Sequence, residues 1–322
     1  MQNTTELILK VIKYDYPEEI PFYINFLPAI MLSHGDEIRD IMRKYPAFFD
    51  ESRINHDYKS NMAPSYRVGE TVDEWGCVWS NNHEGMAGYV TKYPIPNRED
   101  IPGYEVPKED AGLPHGFMYL RLLDLRGFEE VMLDFAEECE ELQILIDKVC
   151  SYNVRQMELL CKNEPTALVS VGDDLGMQRG IAVGVDKWRK YMKPAFKRIY
   201  DVCKAHDKFV YMHTDGDIIE IMPDLVEVGV DIINPQYRAN GIDRLIETCK
   251  GKIPIMLDLD RQLFPFVSPA EVRNHIRETV EKLYLPQGGL GINIEIGFDV
   301  PIENIAAIID EADVIREKYS RR

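Results

Sequence analysis

From about residue 165 to its end, the chain repeats one pattern five times: a short apolar run, a polar turn, then a longer segment of helical period. The runs are Ala167–Val171, Phe209–Met212, Val230–Ile233, Pro254–Leu257 and Leu290–Ile294, rich in Val, Ile and Leu. A sheet with one wet face would alternate apolar and polar residues, so these read as strands covered on both faces. Helices are expected between them at Val185–His206, Asp217–Val228, Gly241–Cys249, Ser268–Leu283 and Pro301–Tyr319, with start signals at Ser268-Pro269 and Pro301. Strand-then-helix order dictates a parallel α/β fold, because parallel neighbours need a crossover to return the chain.

The first half is less regular. Ile20–Phe26 and Phe117–Leu123 read as further strands, and Phe128–Cys161 as one or two long helices with an acidic, solvated face. Met62–Glu109, which carries Pro, Gly and Asn with little helical period, is too long for an idle connection; a hairpin or lid over one end of the fold is expected. No Gly/Ser/Pro-rich linker, internal repeat or low-complexity tract divides the chain. We therefore expect residues 1–322 to form a single domain with an irregular insertion around 62–109. Seven or eight strands in this order fit an α/β fold of the (β/α)8 TIM-barrel class better than an open doubly wound sheet, and no GxGxxG follows the first strand.

In a parallel barrel the loops after the strands converge on one face, and there the chemistry gathers. The strand ends read Gly172-Asp173-Asp174, His213-Thr214-Asp215-Gly216-Asp217, Asn234-Pro235-Gln236, Asp258-Leu259-Asp260-Arg261-Gln262 and Glu295-Ile296-Gly297, four of the five bearing carboxylates. Converging carboxylates repel one another and lose hydration, so a cation, a proton or an Arg must neutralise them. His213-x-Asp215 is the sharpest local signal, because residues i and i+2 of an extended segment point to the same side and can grip one ion together. The alternative is that Asp215 caps the following helix while His213 hydrogen-bonds within the fold. Asp173-Asp174 suits metal or substrate binding and equally suits a turn before Gly176. Glu295, between Ile294 and Ile296, needs a partner of some kind.

Composition narrows the partners. With 55 Asp+Glu against 37 Lys+Arg the formal net charge is −18, which disfavours nucleic acid and anionic membrane surfaces. The 45% hydrophobic content supports a sizeable core. The N-terminal MQNTTELILKVIKYDYPEEI lacks a basic segment followed by an unbroken apolar stretch, and no window approaches a membrane span of about 18 apolar residues, so a cytoplasmic location is expected. The six cysteines are scattered without a CxxC pair and are expected to be buried free thiols.

These segments carry a resemblance. IPFYINFLPA near the start, DEWGCVW at Asp73–Trp79, VGDDLG at Val171–Gly176, HTDGDI at His213–Ile218, VGVDIINPQ at Val228–Gln236, LDLDRQLFPF at Leu257–Phe266 and DVPIENI at Asp299–Ile305 resemble the uroporphyrinogen decarboxylase-like superfamily, and within it the corrinoid-dependent methyltransferases of O-demethylase systems. The resemblance implies a (β/α)8 barrel with its site at the strand C-terminal ends. The decarboxylase proper holds substrate carboxylates with an Arg-rich N-terminal signature, whereas Ile24–Ile30 here reads INFLPAI, without arginine. In the related thiol-methylating enzymes the zinc ligands follow an HxC pattern with a further Cys near the last strand. His213 matches the His, Asp215 stands at the Cys, and Glu295 lies within one residue of the second Cys position, which makes these three the expected metal ligands. Carboxylates in place of thiolates leave zinc a harder Lewis acid, suited to an ether oxygen.

The implied enzyme takes a methyl group from a small-molecule O-methyl donor, a methoxylated aromatic, and passes it to the reduced corrinoid (cobalamin) of a partner corrinoid protein. The chain itself has no DxHxxG motif for a cobalt-ligating histidine. Asp174 or Asp258 is expected to supply a proton, Asn234, Gln236 and Arg261 to contact the substrate, and Trp75 and Trp79 to line a pocket for the ring. Alternatives are a uroporphyrinogen decarboxylase-like decarboxylase, a methyltransferase for another donor, and a non-catalytic ligand-binding barrel.

Overall fold

The computed structural model describes residues 4–110 and 112–321. Among them the strands are, in chain order, β1 (Phe22–Phe26), β2 (Gly69–Val72), β3 (Val78–Asn81), β4 (Tyr89–Lys92), β5 (Leu168–Gly172), β6 (Phe209–Thr214), β7 (Ile232–Pro235), β8 (Ile255–Asp258) and β9 (Leu290–Ile296). The chain packs as two compact units. One comprises the stretch to Gly69, Ser80–Tyr89 and everything from Gln236; the other comprises Glu70–Trp79 and Val90–Pro235.

In the first unit β9 lies between β1 and β8, all parallel, with Ile24 opposite Ile294 and Leu257 opposite Ile292. In the second, β6 lies between β5 and β7, again parallel, with Val171 opposite Met212 and His213 opposite Asn234. Their apolar residues are buried on both faces, as Val210, Met212, Ile232, Ile233, Ile292 and Ile294 illustrate, which is the burial the unbroken apolar runs required. The helix Pro269–Leu283 starts with a capping box in which Ser268 and Glu271 satisfy each other's backbone N–H groups. It packs against Ile302–Lys318. In the second unit Glu140–Asn163 packs on Lys193–Ala205, burying Ala195, Phe196, Ile199, Tyr200 and Cys203 at helical spacing.

Two expectations change. The segment Phe117–Leu123 is not a strand: Tyr119–Arg126 is a helix, burying Tyr119, Leu122 and Leu125 three residues apart. Its first amides are capped not locally but by Asp173, whose Oδ2 accepts from the Met118 and Tyr119 N–H groups (3.1 and 2.5 Å) and whose Oδ1 accepts from Leu120 (3.0 Å). The helix expected at Val185–His206 is interrupted by a π turn at Trp188–Met192. Pro194 has no N–H to bond the carbonyl four residues back, so the preceding turn widens.

The 62–109 stretch contains a small sheet in the order β2-β3-β4. Asp73 organises its central turn: Oδ1 accepts from the Trp75 and Cys77 amides (3.0 and 2.9 Å), and Oδ2 from Trp79 Nε1 (3.1 Å) and Arg121 (2.8 Å). Gly76 takes the positive φ of 83° that this turn needs. Five of the six cysteines are buried and all six are free. Among the described residues no helix is long and apolar enough to cross a membrane.

Candidate metal centre

Strands β5 and β6 end side by side, Gly172 opposite His213. Beyond them the two loops are laced together: Asp173 N–H donates to the His213 carbonyl (3.0 Å), Gly176 N–H to Asp215 (3.1 Å) and Asp217 N–H to Met177 (2.8 Å), while Leu175 N–H donates to Thr214 Oγ1 (3.0 Å). Where the loops touch, Gly176 meets Gly216. A Cβ on Gly216, whose φ is +86°, would stand 2.1 Å from the Gly176 carbonyl carbon. Only glycine permits that approach, and the approach brings the Asp174 and Asp215 loops together.

Successive side chains of an extended segment point opposite ways. Asp173 therefore turns inward, fully buried, to cap the Tyr119–Arg126 helix, and Asp174 turns to His213. His213 and Asp215 share a side, as their spacing required. His213 Nδ1 lies 2.8 Å from Asn234 Oδ1, so the Nδ1–H donates there and Nε2 is left facing the carboxylates, 3.1 Å from Asp215 Oδ1 and 3.9 Å from Asp174 Oδ1. Asp174 Oδ1 also accepts the Asp215 N–H (3.1 Å). Its Oδ2 lies 3.1 Å from Nε2 of His115.

Histidines and carboxylates here shift one another's protonation in opposite directions. Burial lowers the basicity of His213, but the hydrogen bond and charge of Asp215, with Asn234 and Asp174, more than offset it and push its pKa up to about 9. Burial alone would raise the Asp174 carboxyl; the hydrogen bond and charge of His115, with His213 and the Asp215 amide, hold it below the usual carboxylate range. Among the described residues, Asp174, His213 and Asp215 form a cluster whose ligand atoms all lie within 4.8 Å of one another. Two ligand atoms about 2.1 Å from one tetrahedral zinc ion stand about 3.4 Å apart. The 3.1 and 3.9 Å separations bracket that value, the donors are of the types zinc accepts, and the fixed Nδ1–H is the outer contact metal-bound histidines make. The residues fit the ion.

The other expected site residues have different surroundings. Arg261 ion-pairs with Glu295, and among the described residues the carboxylate clustered with His213 and Asp215 is Asp174. Asp258 is buried and receives Asn293 Nδ2 (3.2 Å), and Gln236 forms a parallel bridge with it. Trp75 is only 5% exposed, its ring 4.6 Å from that of Tyr152 and under the Arg121 guanidinium, so it packs the core of its unit. Trp79 is tied to Asp73. His115 went unnoticed in the sequence because it sits in an irregular stretch, off any strand end and without ligand spacing.

No curated protein sequence matches the chain. Among solved structures, a methyltransferase from Methanosarcina mazei is similar over 97% of this chain and 98% of its own, at 14% identity and a TM-score of 0.66. A dihydropteroate synthase from Xanthomonas albilineans overlaps 49% of this chain and 58% of its own, at 18% identity and a TM-score of 0.33. The first likeness establishes the fold, an α/β barrel of the expected class. Residues 120–314 match the family model described as uroporphyrinogen decarboxylase (URO-D). That stretch holds Asp174, His213 and Asp215 and more than half of the chain, which therefore belongs to the uroporphyrinogen decarboxylase family.

Proposed function

We propose that the chain is a methyltransferase of this family that takes a methyl group from an O-methyl donor, a methoxylated aromatic, and delivers it to the reduced corrinoid of a partner protein. The observation that carries this reading is the donor set: one imidazole and two carboxylates, with aspartate standing where the thiol-methylating relatives place cysteine. Zinc held by Asp174, His213 and Asp215 supplies a hard Lewis acid for an ether oxygen, whose departure as an aryl oxide is otherwise slow. Asn234 fixes the His213 ring so that Nε2 faces the donor carboxylates. His115, 3.1 Å from Asp174, holds a proton at Nε2 beside the centre. In the overall reaction the methyl carbon leaves oxygen for the corrinoid cobalt, the bonding pair stays on oxygen, and the oxygen gains a proton.

Decarboxylation, the activity for which the family is named, is the second reading. It is disfavoured by the arginine-free Ile24–Ile30 segment and by the carboxylates of the centre, which repel a substrate bearing several carboxylates of its own. The two readings separate in one experiment. Zinc-loaded protein is mixed with a panel of methoxylated aromatics and chemically reduced cobalamin, and methylcobalamin is followed by absorbance; uroporphyrinogen is supplied in a parallel reaction. Methylcobalamin formed only with both enzyme and donor is the expected result. Loss of CO2 from uroporphyrinogen, with no methyl transfer from any donor, would overturn the proposal.

A further inference from the structure

We infer that His115 is a positioning residue of the metal centre, holding Asp174 in the donor set. The inference rests on reading Asp174, His213 and Asp215 as ligands and goes beyond it, since His115 lies outside the matched 120–314 stretch and outside the cluster itself. The two oxygens of Asp174 are divided: Oδ1 faces His213 and takes the Asp215 amide, while Oδ2 is held by His115. A carboxylate gripped at Oδ2 presents a single oxygen to an ion. Without that grip only the Asp215 amide steadies the carboxylate, and the cation loses a firmly held donor.

The surroundings of His115 are built for the contact. Gly116 N–H donates to the carbonyl of Gly172 (2.8 Å), clipping the segment to the end of β5. The ring tilts over that of His213, centroids 5.6 Å apart. Gly172 has no side chain to interfere, and a Cβ there would stand 2.6 Å from His115 Nδ1. Asp173 anchors the next turn of the same segment through three backbone amides. The neighbouring acids thus cooperate, Asp173 placing the segment and Asp174 receiving its histidine.

The test uses the full chain, stripped of metal and titrated with zinc against a chromophoric chelator, with cobalt(II) as a spectroscopic substitute. His115→Ala is expected to weaken zinc about 10- to 100-fold, the usual cost of losing an outer-sphere partner, and to change the cobalt absorption bands. His115→Gln, which can still donate to Asp174, should recover most of the affinity. Gly172→Ala, which pushes the ring away while leaving it in the chain, should reproduce the loss. In an Asp174→Asn background, removing His115 should cost nothing further. Unchanged zinc affinity in His115→Ala, or an undiminished loss in the Asp174→Asn background, would overturn the inference while leaving the metal centre standing. A wild-type chain that takes up no zinc would instead overturn the reading on which the inference rests.

Discussion

Replacing Asp173 with asparagine tests how the site is held together. Its carboxylate accepts three backbone N–H groups at the start of Tyr119–Arg126, at 2.5 to 3.1 Å, and is wholly buried. Burial pushes its carboxyl up while the Leu120 and Tyr119 amides pull it down, and the three N–H groups it accepts favour its ionised form. Asparagine offers one acceptor oxygen instead of two. Turned to keep the Met118 and Tyr119 amides, it loses the bond to Leu120, about 1.5–3 kcal/mol for a charged acceptor, and sets its own NH2 against an N–H, about 1–3 kcal/mol for a buried unsatisfied donor. The remaining bonds weaken as the charge disappears. Asparagine also escapes the cost of burying a charge, which offsets part of these losses, so we expect a net destabilisation of about 2 kcal/mol against a typical folding stability of about 5–15 kcal/mol. Urea unfolding at pH 8 measures the total, and hydrogen exchange by mass spectrometry should show the 118–120 amides losing protection first. A loss below about 1 kcal/mol with unchanged protection of those amides would refute the capping argument.

Other substitutions probe the remaining links. Asn234→Leu removes the acceptor that fixes His213 Nδ1 and should weaken zinc about 10- to 100-fold in a chelator competition; equal affinity would show that the ring is oriented by something else. Gly216→Ala adds a Cβ where 2.1 Å separates it from the Gly176 carbonyl carbon, at a φ of +86°, and should cost at least about 2 kcal/mol of unfolding free energy together with zinc binding. Asp124 is partly buried beside Arg121 and Asp73, and desolvation lifts its carboxyl to about 6 although Arg121 opposes the shift. The folded chain keeps that proton between about pH 4 and 6 while the unfolded chain releases it, so stability is lost as pH rises across this window, by about 3 kcal/mol at most. Asp124→Asn should therefore gain on the wild type between urea melts at pH 5 and pH 8, and parallel pH profiles would contradict this.

The apolar runs after residue 165 specified their strands to within two residues, because a strand covered on both faces must be continuously apolar and that pattern is local. The Ser268–Glu271 capping box and the i, i+2 spacing of His213 and Asp215 are equally local, and each could be read without knowing its neighbours. The Phe117–Leu123 stretch could not. Its helix is started by the carboxylate of Asp173, 54 residues on from Tyr119, and no local pattern announces a cap supplied from so far away. Which carboxylate gathers beside His213 and Asp215 was ambiguous for the same reason. Asp174 and Glu295 both end apolar strands, and what distinguishes them is their company: Glu295 has Arg261, whereas Asp174 has two histidines and the Asp215 amide. His115 had no signal at all, since a lone histidine in an irregular segment reaches Asp174 only where Gly172 leaves room for the ring. The sequence by itself determined the strand and helix periods and the chemical types gathered at the strand ends. Which carboxylates gather around His213, and which side chain lies against them, was decided by tertiary contacts between loops distant along the chain.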